Sequence, residues 1–140
     1  MKYFALLGAL LGASLAQAAP AFTGQDYSGV YQCTGVDAHE GNYTGTVTMA
    51  LVAAQSTGEH GAYRFKLEVP GFGAYLGHAV SEGDKLAIYF ALPDQSTRDY
   101  GTGIATMRKD QSGRLAFSKF YYEPEYKGGN TGTEDCVMKP

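Results

Sequence analysis

Between Ala62 and Val69 the chain alternates strictly. Tyr63, Phe65, Leu67 and Val69 are apolar, and Arg64, Lys66 and Glu68 between them are charged. Successive side chains of a β-strand point to opposite faces, so a period of two describes a strand with one dry face and one wet face. The pattern recurs in residues 44–53, where Val47, Met49 and Leu51 oppose Thr44, Thr46 and Thr48. In residues 85–92, Leu86, Ile88, Phe90 and Leu92 share one side and Ala87, Tyr89 and Ala91 the other. That composition predicts a strand covered on both faces. Weaker alternation predicts strands at 28–35, 73–80, 100–108, 114–122 and 131–138, about eight in all. Turn chemistry separates them, as in Glu40-Gly41-Asn42, Pro70-Gly71, Glu82-Gly83-Asp84 and Gly128-Gly129-Asn130. Gly and Asn reach positive φ cheaply, and Pro presets a turn. Short strands at such spacing predict an antiparallel meander, closed as a barrel or stacked as a sandwich.

Residues 1–18 follow a different logic. Met1-Lys2 is a short positive start, Phe4 to Leu15 is uncharged and mostly apolar, and Ala16-Gln17-Ala18 places small residues at −3 and −1. This is the layout of a secretory signal peptide cleaved after Ala18. The apolar run is about a dozen residues, too short to cross a bilayer of roughly 30 Å at ~1.5 Å per residue. The expectation is a periplasmic or secreted chain with no membrane span, in which residues 19–140 form one barrel domain. The net charge is −3 and no run of Lys or Arg exists. A nucleic-acid partner, which needs a basic face, is not expected.

The two cysteines fall in the first and last predicted strands, at Cys33 and Cys136. In an exported chain such a pair predicts a disulfide. The first and last strands of a closed up-and-down barrel are neighbours, which makes the bridge easy to form. An immunoglobulin-like sandwich usually bridges interior strands and packs a Trp on the bond, and this chain has no Trp. The expected fold is therefore all-β: a single antiparallel up-and-down β-barrel of about eight strands, its first and last strands linked by a disulfide. Ser28-Gly29-Val30-Tyr31 opens the first strand, Asn42-Tyr43-Thr44-Gly45-Thr46 opens the second, and each terminal strand carries a cysteine. In these features the chain resembles the small lipocalin-like (calycin-type) barrels of bacterial periplasmic proteins, with Tyr31 standing where lipocalins usually carry Trp.

Catalytic motifs are not found. His39-Glu40 does not continue to H-E-x-x-H, and Gly71-Phe72-Gly73-Ala74-Tyr75-Leu76-Gly77 places its last glycine one residue late for a dinucleotide fingerprint. There is no G-x-S-x-G and no phosphate-binding loop, so neither an enzymatic activity nor a cofactor is expected. His39, His60 and His78 hold a metal only if folding brings them together with Asp37 or Glu59; no metal is expected. Gly101 and Gly103 are read as sites of bending and close backbone approach in a curved sheet.

Two features suggest binding. Eleven Tyr and seven Phe suit a lumen able to hold a small apolar ligand, unless Tyr63, Phe65, Phe90 and Phe117 fill it themselves. Tyr121, Tyr122, Glu123, Glu125 and Tyr126 cluster where the seventh strand runs into the last turn. Tyrosine offers apolar area with a polar tip, and adjacent carboxylates favour a basic protein partner. Glu123 and Glu125 could also be read as an acid–base pair for glycoside hydrolysis, but Pro124 lies between them.

Overall fold

The computed structural model describes residues 18–140. The predicted signal peptide, apart from Ala18, lies outside the described residues. Eight strands follow one another: β1 (Gly29–Asp37), β2 (Gly41–Leu51), β3 (His60–Val69), β4 (Gly73–Glu82), β5 (Lys85–Ala91), β6 (Tyr100–Lys109), β7 (Leu115–Glu123) and β8 (Asn130–Met138). Each pairs antiparallel with its sequence neighbours, and β8 pairs back onto β1 to close the barrel in the order β1 to β8. Closure satisfies the backbone groups that an open sheet would leave at its edges.

Cys33 lies directly opposite Cys136 in the β1–β8 register, and the two are bonded. Both are fully buried. The bridge therefore crosses the closing seam on the inside of the barrel. The Glu82-Gly83-Asp84 turn shows how the hairpins close: Gly83 sits at φ 58°, a conformation that costs a glycine nothing.

The wall alternates as predicted. In β3, Tyr63, Phe65, Leu67 and Val69 face inward and are buried. One expectation fails. Ala87 and Tyr89 on the other face of β5 are exposed. In a single barrel only the lumen is dry, so β5 has no second layer to pack against.

The two ends differ. At one end the segment before β1 closes the lumen. Tyr31 Oη donates to Tyr27 O (2.8 Å), the Tyr27 N–H donates to Tyr63 Oη (3.3 Å), and Tyr27 Oη donates to Gly83 O (2.7 Å). Tyr31 and Phe117 pack edge to face at 5.2 Å, with Met49, Leu86 and Ile88 completely buried in the same core. The other end is ringed by the β1–β2, β3–β4, β5–β6 and β7–β8 connections and is not covered in this way. We call it the mouth.

Candidate site at the barrel mouth

Inward parity brings an unusual set of side chains to the mouth half of the lumen. In β8 the inward positions are Asn130, Gly132, Glu134 and Cys136; in β7 they include Phe117, Lys119, Tyr121 and Glu123. Glycines make the room. Gly132 is the register partner of Tyr121 and Gly35 that of Tyr43. A Cβ on either glycine would lie 2.2 or 2.3 Å from the facing tyrosine ring. A Cβ on Gly103 would press on the Lys119 stem at 2.9 Å. The expected close approach at Gly103 is thus made by a lysine side chain.

Lys119 and Glu134 form a completely buried ion pair, Nζ to Oε2 2.6 Å. Tyr43 Oη donates to the other carboxylate oxygen at 2.6 Å. The ammonium also lies 5.1–5.5 Å from the ring centres of Phe90, Tyr121 and Phe65, within cation–π range. Its contact with Glu134 is not aligned as a hydrogen bond, and it has no other acceptor among the described residues.

Above this pair lie three more carboxyls, those of Asp37, Asp99 and Glu123, all buried. Asn130 Nδ2 bridges two of them, donating to Asp37 Oδ2 (2.7 Å) and to Glu123 Oε2. Tyr121 Oη donates to Asp37 at 2.8 Å and Tyr75 Oη to Asp99 at 3.0 Å. Burial raises the hydroxyl pKa of Tyr43, Tyr75 and Tyr121, so all three act as donors. Burial alone would raise Asp37 too, but hydrogen bonds from Asn130, the Glu40 N–H, Tyr121 and the His39 N–H hold it below the ordinary aspartate value. Asp99 and Glu123 have less such support, from Tyr75 and from Asn130 respectively. Burial raises both, nearby carboxyls add to the rise, and Glu123 reaches about 8. Asp99 Oδ1 and Asn130 Oδ1 have no donor among the described residues.

The sign for stability follows from linkage. Glu123 binds its proton more tightly in the folded protein than at its ordinary value of 4.5. Its favourable contribution is complete below about pH 4.5 and is lost as pH rises through about 8. Stability is expected to fall across that interval. Glu123→Gln should flatten the profile and leave the variant more stable than the parent at pH 8.5, as read from urea midpoints. A variant with the parent's pH slope would contradict this origin.

The lumen narrows sharply below the mouth. The space bounded by Tyr43, Tyr75, Phe90, Tyr121 and the carboxyls is about 40 Å³. One water needs roughly 10–15 Å³ on this measure, so the space suits a few waters or the head of a small molecule. Leu67, Val69 and Phe72 extend its apolar side outward.

The structure divides the residues singled out in the sequence. Tyr63, Phe65, Phe90 and Phe117 all point into the lumen and are buried; Phe90 alone of the four borders the open space. Tyr121 and Glu123 also face inward. Tyr122 is 47 % exposed on the outer wall. Glu125 is outside, held by Tyr100 Oη (2.8 Å) and facing Arg98. Tyr126 stands at the rim and donates to Glu40. Tyr121, Glu123 and Tyr126 thus border one space at the mouth, while Tyr122, sent outward by strand alternation, and Glu125, in the connection after β7, lie outside it. Glu123 and Glu125 do not face one reaction space.

The histidines do not converge. His39 sits at the mouth, His60 begins β3 at the opposite end, and His78 lies outside on β4 against Tyr89. The other group of metal-ligand type among the described residues is Cys33, Glu134 and Cys136, whose sulfurs are spent in the disulfide. Asp99, Asn130, Lys119 and Glu134 stand in no motif of the sequence, and Asp37 enters there only as a metal partner for the histidines, a role it does not take here. Arg98 and Lys127 are the non-glycine residues at left-handed φ among the described ones, and both lie in the mouth connections. Residues held in such conformations cluster at functional sites.

No family model, curated protein or solved structure matches the chain. The site must be interpreted from its own chemistry.

Proposed function

We propose that this protein is a periplasmic or secreted binding protein that takes a small molecule at the open mouth of the barrel. One observation carries the reading: the packed lumen gives way at the mouth to open space beside buried polar atoms that lack partners among the described residues. A site of this kind, apolar walls around a few converging polar groups, is the common form of a small-ligand pocket. The intramolecular disulfide and the lack of any long apolar helix among the described residues are compatible with an extracellular setting. The signal-peptide pattern supports export.

The ligand's apolar part is small. Tyr31, Tyr63, Phe117 and their neighbours fill the lower lumen, which leaves no path for a long acyl chain. A docking role for residues 121–126 toward a basic protein has less support, because those side chains are split between lumen and wall. Native mass spectrometry of the protein purified without denaturant tests the reading, together with a thermal-shift screen of small aromatic and aliphatic compounds. An adduct or a saturable stabilisation by small compounds, without fatty-acid uptake, is expected. A bare mass with no stabilising compound would count against it, and fatty-acid uptake would show that the lumen opens.

A further inference from the structure

We infer that the mouth selects a small organic cation, a protonated amine with a short apolar or aromatic body, whose N–H groups are received by Asp99 and Glu123. This rests on the binding reading above and names the ligand class of the same site. Four buried carboxyls border or support the space, those of Asp37, Asp99, Glu123 and Glu134, against the one buried ammonium of Lys119. Lys119 is already neutralised by Glu134 at 2.6 Å. At the rim, Glu40 is likewise paired with Lys127. Asp37, Asp99 and Glu123 are thus the mouth carboxyls with no cationic partner among the described residues.

Asp37 is satisfied by four protein donors; Asp99 is not. Asp99 is 6 % exposed, and its Oδ1 has no donor among the described residues. The neighbouring Glu123 carboxyl, raised by burial, keeps its proton near neutral pH instead of adding a second charge. An ammonium group replaces that proton with several N–H donors and adds charge where charge is missing. Its body would lie against Tyr75, Phe90 and Tyr121, whose rings suit a cation's flank. A bare metal ion fits less well. Asp37, Asp99 and Glu123 do not form a group whose ligand atoms lie within 4.8 Å of one another, so the charge is spread as an organic cation would spread it.

Binding would exchange one cation for another. A cation arriving at Asp99 and Glu123 expels the proton that burial holds on Glu123, so affinity should rise with pH as that carboxyl ionises. Asp37, Glu40, Glu134, Lys119 and Lys127 also face this region, but they are already paired or hydrogen-bonded.

Isothermal titration of the full mature chain with benzylamine, n-butylamine, benzyl alcohol, n-butanol and benzoate tests the inference. The amines are expected to bind about tenfold or more tighter than the alcohols, the scale of a hydrogen bond to a charged group. Benzoate should not bind. In buffers of different ionisation enthalpy at pH 7, amine binding should release a fraction of a proton and alcohol binding none. Asp99→Asn and Glu123→Gln should each abolish the amine preference, while Glu68→Gln on the outer wall of β3 should keep it. Should either mouth variant not fold, the wild-type proton release still decides. Alcohols binding as tightly as amines, or amine binding without proton release, would overturn the cation class and leave the pocket standing. Should none of the five bind, the pocket reading falls as well.

Discussion

Replacing Cys33 and Cys136 by serine is expected to cost about 4–5 kcal/mol of folding free energy. The bridge spans 103 positions, and cross-linking a loop of that size removes chain entropy of this order from the unfolded state. A single domain is stable by roughly 5–15 kcal/mol, so the loss is a large fraction of the total. The location adds to the effect. Both sulfurs are wholly buried at the β1–β8 seam, where two serine hydroxyls would enter an apolar core. Urea unfolding of the oxidised protein and the double variant measures the difference. A difference below about 1 kcal/mol would show that the seam holds without the bridge. Alkylation of native protein without reductant should label neither cysteine.

The second large effect concerns the ion pair in the lumen. Lys119→Met should destabilise by about 3–5 kcal/mol, because it leaves Glu134 charged and buried with only Tyr43 to stabilise it. Lys119→Met combined with Glu134→Gln should be less damaging than Lys119→Met alone. The glutamine keeps an acceptor for the Tyr43 hydroxyl, and no charge is stranded. The cycle should give a coupling energy of about 0.5–3 kcal/mol. Strictly additive losses would mean that the two side chains do not act as a pair. A buried pair of this kind is not by itself evidence of added stability. Its effect here is to cancel a positive charge under the mouth, which leaves the upper carboxyls to set the local field.

Much of the mouth follows from one parity rule that the alternation pattern alone does not supply. Apolar alternation locates β2, β3 and β5 with little error because their inward residues are apolar. It misleads in β7, where Phe120 and Tyr122 face out while Lys119 and Glu123 face in. The disulfide carries the missing information. Two cysteines that bridge adjacent strands inside the barrel fix inward parity in both. Counting by twos from Cys33 reaches Gly35 and Asp37, and from Cys136 it reaches Glu134, Gly132 and Asn130. These are the polar residues and spacing glycines of the site. Asp99 could not be reached in this way, because it lies in the connection before β6, where no strand parity applies. Its carboxyl is placed by the hydrogen bond from Tyr75 and by the loop that Asp94 caps at Ser96.

The tyrosines report directly on where a ligand sits, since the fold distributes them among the closed end, the mouth and the outer wall. In protein with isotope-labelled tyrosine rings, titration with benzylamine should shift the NMR signals of Tyr75 and Tyr121. Tyr31 and Tyr63 at the closed end, and Tyr89 and Tyr122 on the outer wall, should stay in place. Saturable shifts confined to the first pair are the predicted result. Shifts confined to the outer-wall tyrosines, or no shift at saturating benzylamine, would contradict a binding site at the barrel mouth.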